Sequence, residues 1–213
     1  MAVPVVLFDL DGTVSDSAPG ILAALRHAFQ VTGLPPMDPE TERHVLGPPF
    51  YESLPPLIGN VPLADVIQAY RGHYQESMYD TLVFDGVADT LAELTARGTR
   101  LAIATSKPEN YAVPIVEHLG VHVHFEVIGG DALDGSRQTK ALVIEDVLAR
   151  LGNPSADEIL MVGDRSHDVV GARVHGIETV AVTWGYAMPG ELASAAPRAI
   201  VHTAMDLTAI LVQ

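Results

Sequence analysis

The sequence predicts an α/β protein, a doubly wound (Rossmann-like) parallel sheet that carries an inserted all-helical domain. Two observations predict this fold. In the second part of the chain, short apolar runs typical of buried strands alternate with helical patterns, and the links between them are short. Between Thr13 and Thr81, by contrast, we find no strand-like run. We therefore expect a core domain of residues 1–14 and 81–213, interrupted by a helical domain of residues 15–80.

The chain opens with an apolar run, residues 5–8, that is typical of a buried strand. Asp9 and Asp11 follow it, and Gly12 indicates a turn. Ligands of parallel sheets bind beyond the carboxyl ends of the strands, where these two acids fall. Crowded carboxylates repel each other, so the pair indicates either a hard-metal site or two acids with separated pKa values. Two solvated turn aspartates are the ordinary alternative, which the position directly after a strand disfavours.

The next segment is predicted to be helical throughout. Ser17 and Pro19 are typical of a helix start, and apolar residues then follow helical spacing as far as Phe29. Residues 31–62 are rich in proline, which breaks long helices and predicts short helical pieces joined by stiff loops. A longer helix is expected from residue 63 to residue 79.

From residue 84 the pattern of alternating strands and helices becomes regular. We expect a turn at residues 105–108, directly after the first strand of this region, and a helix that begins at Lys140. Helices are expected between the strands and at the end of the chain. The predicted strands cover residues 101–104, a short run near 128, and residues 159–162, 179–182 and 199–201.

Charge and composition restrict the possible partners. The 213 residues carry a formal net charge of -15, which would repel nucleic acids and anionic membranes. An anionic substrate therefore needs a local cation, and the only lysines are Lys107 and Lys140. There is no cysteine, which excludes disulfides and thiolate chemistry. The N-terminal apolar run is too short for a signal peptide or a membrane span, so we expect a cytoplasmic protein, monomeric or homodimeric.

Three predicted strands end in polar residues of different kinds, and a lysine begins a helix between the last two. Strand ends of one parallel sheet meet at one edge, so these groups are expected to converge. They would supply carboxylates for Mg²⁺, hydroxyl and N–H groups for an oxyanion, and one ammonium, as phosphoryl transfer requires. Helix capping or solvent exposure would explain each residue singly, and only their joint occurrence favours chemistry. The residues are Asp9, Asp11, Thr105, Ser106, Lys140, Asp164 and Asp168.

These motifs, in this order, resemble the four motifs of the haloacid dehalogenase superfamily of phosphatases, and the resemblance covers the whole chain. The helical segment resembles the cap of the phosphoglycolate phosphatase-like branch. Shorter stretches, at residues 46–49, 104–108, 133–137 and 163–168, are similar to a subgroup described as 5′-nucleotidase-like.

The resemblance implies a role for each matching residue. Asp9 would attack phosphorus and form an aspartyl-phosphate, and Asp11 would protonate the leaving alcohol and later activate water. Thr105, together with Ser106, would bind the transferring phosphoryl group, with Lys140 preferred over Lys107 as its ammonium. The metal ligands would be Asp9, the backbone carbonyl of Asp11, and Asp164, with Asp168 supporting them.

The resemblance also implies a substrate class, a phosphate ester of a small metabolite such as a nucleoside 5′-monophosphate or 2-phosphoglycolate. Arg43 is the candidate in the cap for an anion or hydroxyl of that substrate, although a solvated surface arginine is an equal alternative. A phosphotransferase or mutase of the β-phosphoglucomutase type remains open, because it shares the four motifs. A catalytically silent regulatory homologue is the third possibility.

Overall fold

The computed structural model describes residues 3–132, 134 and 136–212. Leu133 and Gly135, which belong to the stretch 133–137 noted above, lie outside the described residues. The structure contains a parallel sheet of six strands in the order β5-β4-β1-β6-β7-β8, and β2 and β3 form a separate antiparallel ribbon. The strands are β1 (Val5–Phe8), β2 (Ser15–Asp16), β3 (Leu82–Val83), β4 (Arg100–Pro108), β5 (Phe125–Asp131), β6 (Ile159–Gly163), β7 (Glu178–Val182) and β8 (Ala199–Val201).

Helices cover both faces of the sheet, so the α/β class with a doubly wound parallel sheet is confirmed. In the part of the chain that the structure describes, five α-helices lie between β2 and β3, and six others connect or follow the strands of the sheet. The helices are α1 (Ala18–Val31), α2 (Pro39–His44), α3 (Phe50–Ser53), α4 (Pro55–Ile58), α5 (Leu63–Ser77), α6 (Val87–Ala96), α7 (Glu109–His118), α8 (Lys140–Arg150), α9 (Ser166–Val174), α10 (Glu191–Ala195) and α11 (Ala204–Leu211).

The central strand β1 is buried on both faces because its side chains alternate between two apolar clusters. Val6 and Phe8 belong to the cluster that also contains residues of the helical insertion. Val5 and Leu7 belong to the cluster beneath α8 and α9. This burial explains why the run is continuously apolar rather than alternating.

The register of the sheet determines where the polar residues leave it. Phe8 lies opposite Ile103 on β4 and Val162 on β6. Asp9 therefore leaves β1 beside the end of β6, where the backbone N–H of Asp9 donates to the Val162 carbonyl at 2.9 Å. The acidic residues after β1 and β6 consequently lie at the same edge of the sheet.

Residues 15–80, called the helical insertion below, are joined to the sheet through the ribbon of β2 and β3. The expectation that no strand lies between Thr13 and Thr81 is wrong for Ser15–Asp16, which pairs antiparallel with Leu82–Val83. Two residues are too few to show an alternating pattern, which explains why the sequence does not reveal this strand. The domain boundaries at residues 14 and 81 stay a prediction.

Strand β4 also differs from its prediction. The turn expected at residues 105–108 is wrong, because β4 continues to Pro108, with an irregular register against β5 after Ala104. Serine, lysine and proline are typical of turns, but pairing with β5 overrides that preference. Within the described residues, no helix combines the length and the apolar character that crossing a bilayer requires.

Candidate active site

Asp9 lies at the centre of a buried group of charges at the carboxyl edge of the sheet. The ammonium of Lys140, the first residue of α8, lies 2.8 Å from Oδ1 of Asp9 and 2.8 Å from Oδ1 of Asp168. The same ammonium donates to the Ala104 carbonyl at 3.0 Å. The predicted lysine thus joins the end of β1 and the middle of β4 to the start of α9.

Asp164, directly after β6, is fully buried and held by donors from two other segments. The Thr13 hydroxyl donates to its Oδ1 at 3.2 Å, and the Tyr186 backbone N–H donates to its Oδ2 at 2.7 Å. Asp168 is equally buried, and its Oδ2 accepts from the Arg165 backbone N–H at 3.0 Å. Both carboxylates therefore have fixed orientations.

Burial has the largest single effect on the pKa of each of Asp164, Asp168 and Lys140, and the neighbouring charges modify it. Burial, followed by the charges of Asp168 and Asp9, raises the pKa of Asp164 well above its usual value. Burial also raises the pKa of Asp168, although the Lys140 ammonium opposes this shift. Burial lowers the pKa of Lys140, but Asp168 and Asp9 outweigh it and leave that pKa raised. One ammonium therefore does not return the pKa values of Asp164 and Asp168 to their usual range.

A divalent cation fits this group of carboxylates. One oxygen from each of Asp9, Asp164 and Asp168 lies within 4.8 Å of the others, which brings three hard ligands to one place. The backbone packs directly against Asp164, since a Cβ atom built on Gly12 or on Gly185 would overlap its carboxylate. Gly12 also has a positive φ of 84°, which disfavours any other residue there.

The side chain of Asp11 lies apart from this triad, on the side of the helical insertion. Its Oδ2 lies 3.0 Å from the Lys107 ammonium, and its Oδ1 is buried without a hydrogen-bond partner among the described residues. The predicted metal contact of Asp11 involves its backbone carbonyl, and it stays a prediction.

The remaining predicted residues divide into two groups. Thr105 is buried, and its Oγ1 accepts from the Lys107 backbone N–H at 3.2 Å, while Ser106 lines a cleft beside Asp11. Arg43 is not brought to this cleft: its side chain is exposed, and it donates to the Ala187 carbonyl at 3.1 Å. The structure thus supplies no support for a substrate contact of Arg43, and its role stays a prediction.

The cleft lies between the helical insertion and the sheet edge and has a volume of about 170 Å³. Most of its wall is apolar and aromatic, and Asp11, Ser106 and Lys107 form its floor. Arg71 and Asp131 add opposite charges to its wall. The aromatic residues that line it are Phe50, Tyr51, Tyr70, Tyr74 and Tyr111. The arrangement can accept a phosphate ester whose leaving group occupies the cleft.

Sequence reasoning missed several residues that hold the acids in place. Thr13 and Tyr186 orient Asp164, and Trp184 donates from its indole N–H to the Thr13 carbonyl at 3.1 Å. The position of Gly185 and Tyr186 in the sequence could have indicated their role, because they follow β7, a fourth strand that ends at the same edge of the sheet. Arg165 lies in the stretch 163–168 noted above, but no role was predicted for it.

Comparisons with known proteins agree with this geometry. The family model described as haloacid dehalogenase-like hydrolase matches residues 6–182. The chain is 42% identical over 200 residues to a tyrosine-protein kinase named PtkA from Mycobacterium tuberculosis, covering 93% of this chain and 68% of the relative. It is 34% identical to a 5′-nucleotidase from Pseudomonas aeruginosa, covering 97% and 93%, and 31% identical to a phosphoglycolate phosphatase from Pseudomonas putida, covering 97% and 78%.

A solved structure also matches over nearly the whole chain. The crystal structure of a predicted phosphatase from Clostridium acetobutylicum superposes with a TM-score of 0.92 at 31% identity and covers 99% of each chain. Together these relatives confirm the predicted enzyme class, a phosphoric monoester hydrolase. With four motifs in order, an acidic triad at the sheet edge and a family match over most of its length, this chain belongs to the haloacid dehalogenase-like hydrolase family.

Proposed function

We propose that this enzyme hydrolyses small-molecule phosphate monoesters with the help of Mg²⁺, through an aspartyl-phosphate on Asp9. The observation that carries the proposal is the buried group of Asp9, Asp164 and Asp168 around the Lys140 ammonium. Three acids and one ammonium at the edge of the sheet provide a nucleophile, a cation site and a positive charge that stabilises the negative phosphoryl oxygens. The partner is a small phosphate ester, with no role for nucleic acid or membrane.

The residues of the chain divide the work of the two chemical steps. Asp9 attacks phosphorus while Asp11 protonates the leaving alcohol, and the phosphoryl group moves to the Asp9 carboxylate. Asp11 then takes a proton from water, which attacks the phosphoryl group and releases Asp9. Thr105, Ser106 and Lys140 bind the phosphoryl oxygens during transfer.

The side chains of Asp9, Asp164 and Asp168 and the main-chain carbonyl of Asp11 would hold the cation. When bound, Mg²⁺ would neutralise charge on the phosphoryl oxygens and on the triad. The excess of negative charge among buried carboxylates supports this part of the proposal, because a divalent cation would relieve their mutual repulsion.

Two substrate classes are proposed, nucleoside 5′-monophosphates and 2-phosphoglycolate. They are the classes named by the 5′-nucleotidase and phosphoglycolate phosphatase relatives. The aromatic wall of the cleft suits the flat base of a nucleotide, whereas a glycolate would need a cation for its carboxylate. Arg71 on the cleft wall is the candidate for that cation.

The decisive experiment is phosphate release from a panel of esters with Mg²⁺, by the wild type and by Asp9→Asn. We expect the variant to lose about 10⁴-fold or more in turnover, because the covalent nucleophile is removed. Mass spectrometry of the rapidly quenched wild type should detect a phosphorylated Asp9. Arg97→Gln, which changes an exposed helix surface, is the control. Hydrolysis of p-nitrophenyl phosphate by Asp9→Asn at the wild-type rate would contradict the proposal.

A phosphotransferase is the second candidate, favoured by the similarity to the relative named tyrosine-protein kinase. Such an enzyme would pass the phosphoryl group from Asp9 to an organic hydroxyl instead of water. Turnover in ¹⁸O-labelled water separates the two, because only hydrolysis places solvent oxygen in the released phosphate. Absence of turnover over the whole panel would favour a regulatory homologue.

A further inference from the structure

A second buried ammonium, that of Lys107, pairs with the side chain of Asp11. Lys107 is 8% exposed, and its Nζ lies 3.0 Å from Asp11 Oδ2. The same ammonium donates to the Tyr74 hydroxyl at 2.6 Å. Because Lys140 already lies between Asp9 and Asp168, the two lysines of the chain serve different carboxylates.

The two partners of Lys107 come from different parts of the fold. Lys107 belongs to the last residues of β4, and Tyr74 belongs to α5 of the helical insertion. The Tyr74 ring is stacked on Tyr70 at a centroid distance of 5.0 Å and meets Tyr111 edge-on at 5.5 Å. The Lys107 ammonium also lies 4.8 Å from the centre of the Tyr74 ring, which adds a cation–π contact. The Tyr74 hydroxyl is therefore a fixed hydrogen-bond acceptor for the Lys107 ammonium.

The two oxygens of the Asp11 carboxylate have different surroundings as a consequence. Oδ2 is paired with the ammonium of Lys107, whereas Oδ1 is buried and has no hydrogen-bond partner among the described residues. Asp11 also lines the cleft that would receive the leaving group. A donor fixed on Oδ2 therefore holds the Asp11 carboxylate in one orientation beside the cleft.

We infer that Lys107 and Tyr74 are positioning residues for Asp11, which fix the orientation of the carboxylate that exchanges a proton with the leaving alcohol and with water. This inference rests on the proposed function, in which Asp11 is the general acid and base. In the first step, the Asp11 proton goes to the leaving oxygen as the phosphorus–oxygen bond breaks and the bond to Asp9 forms. In the second, Asp11 regains a proton from the attacking water, and Asp9 is released.

Leaving-group dependence tests this inference. Protonation matters greatly for an alkoxide leaving group and little for p-nitrophenolate, which departs without a proton. We expect Lys107→Met to lower kcat/KM about 100-fold for the best alkyl phosphate of the panel, because a misplaced general acid loses its alignment. For p-nitrophenyl phosphate the same variant should lose less than about fivefold in kcat/KM.

The second step supplies an independent readout. Because Asp11 also activates water, Lys107→Met should release one equivalent of p-nitrophenol per enzyme in a rapid burst and then turn over slowly. Lys107→Arg, which keeps the positive charge, should restore much of the alkyl ester activity. Tyr74→Phe removes only the acceptor hydroxyl. It should lower kcat/KM for the alkyl ester more than kcat/KM for p-nitrophenyl phosphate, by about 3- to 10-fold.

The controls separate positioning from folding. Thermal unfolding of every variant shows whether it is folded, and Tyr79→Phe, an exposed tyrosine beyond the end of α5, is the matched control for Tyr74→Phe. Equal losses on both esters, or no loss on either, would overturn the inference while an active wild type upholds the proposed function. A wild type inactive on every ester would overturn both.

Discussion

At the scale of single residues, each carboxylate oxygen of Asp164 accepts a hydrogen bond from a distant part of the chain. The hydroxyl of Thr13 and the backbone N–H of Tyr186 each donate to one of its oxygens, and two glycines, Gly12 and Gly185, allow the chain to pass close beside it. Neither donor lies near Asp164 in the sequence. Its position at a strand end can be predicted from the sequence, but its partners cannot, because they come from segments 151 and 22 residues away.

Glu191 shows the opposite electrostatic behaviour. Burial opposes its ionisation, but donors outweigh burial: the backbone N–H groups of Ser166 and Met188 and the Arg165 guanidinium lower its pKa from 4.5 to about 2. Because the pKa is lower in the folded state, ionised Glu191 stabilises the protein above pH 4.5. This contribution is lost as the pH falls toward 2.

We therefore predict that Glu191→Gln lowers the free energy of unfolding on the order of 2 kcal/mol at pH 7. The difference from wild type should shrink as the pH falls below 4.5. Urea unfolding at several pH values measures both quantities. Glu178→Gln, which removes an exposed ion pair with Arg198, is the control and should cost less than about 1 kcal/mol. A difference that does not change with pH would contradict the assignment.

At the scale of secondary structure, α1 begins in an unusual way. Ser17 is its N-cap residue but makes no side-chain capping bond. Instead, the Tyr186 hydroxyl accepts from the backbone N–H groups of Ser17 and Ala18, at 2.9 and 3.0 Å, and donates to Asp16 at 2.9 Å. A side chain from the loop after β7 thus replaces the local cap and ties the helical insertion to the core.

The expected effect of Tyr186→Phe follows from this arrangement. Two helix N–H groups lose their acceptor, so the free energy of unfolding should fall by about 1–3 kcal/mol. Hydrogen exchange at Ser17 and Ala18 should accelerate more than exchange in the sheet. Tyr79→Phe supplies the control, since its ring is exposed. Unchanged exchange at the start of α1 would show that the hydroxyl is not its cap.

The sequence predicts secondary structure well where an element has a long hydrophobic pattern. It predicts secondary structure poorly where pairing with a distant strand determines the conformation. The strands β1 and β6 have continuous apolar runs, and β7 ends in the apolar run 180–182, as is typical of a buried parallel sheet. The ribbon of β2 and β3 has only two residues in each strand, and residues 105–108 have the composition of a turn. For these segments, contacts with distant strands overcome local preference, and no local pattern records such contacts.

At the scale of the whole molecule, the burial of ionised Asp164 and Asp168 opposes folding. The raised pKa of Asp164 means that ionising it costs folding free energy at neutral pH. On the proposed function these acids serve a divalent cation, so they lower stability when that cation is absent. Binding of the cation should therefore raise the free energy of unfolding.

The corresponding prediction compares unfolding with Mg²⁺ and with a chelator. Mg²⁺ at 100 times its Kd should stabilise the wild type by about 2.7 kcal/mol, and chelation should abolish phosphatase activity. In chelator, Asp164→Asn should be more stable than wild type on the order of 1 kcal/mol, because one buried charge is removed. Mg²⁺ should stabilise the Asp164→Asn variant much less than it stabilises the wild type. A variant that is less stable than wild type in chelator would show that hydrogen bonds to Asp164 outweigh the repulsion.

The ribbon of β2 and β3 has a consequence for the evolution of this enzyme. Both covalent connections of the helical insertion run side by side through Ser15–Asp16 and Leu82–Val83. Recombination at these neighbouring points would exchange the segment as a single cassette and leave the strand edge intact. A chimera that carries the corresponding segment of a relative should keep the chemistry of this enzyme and acquire the donor's selectivity.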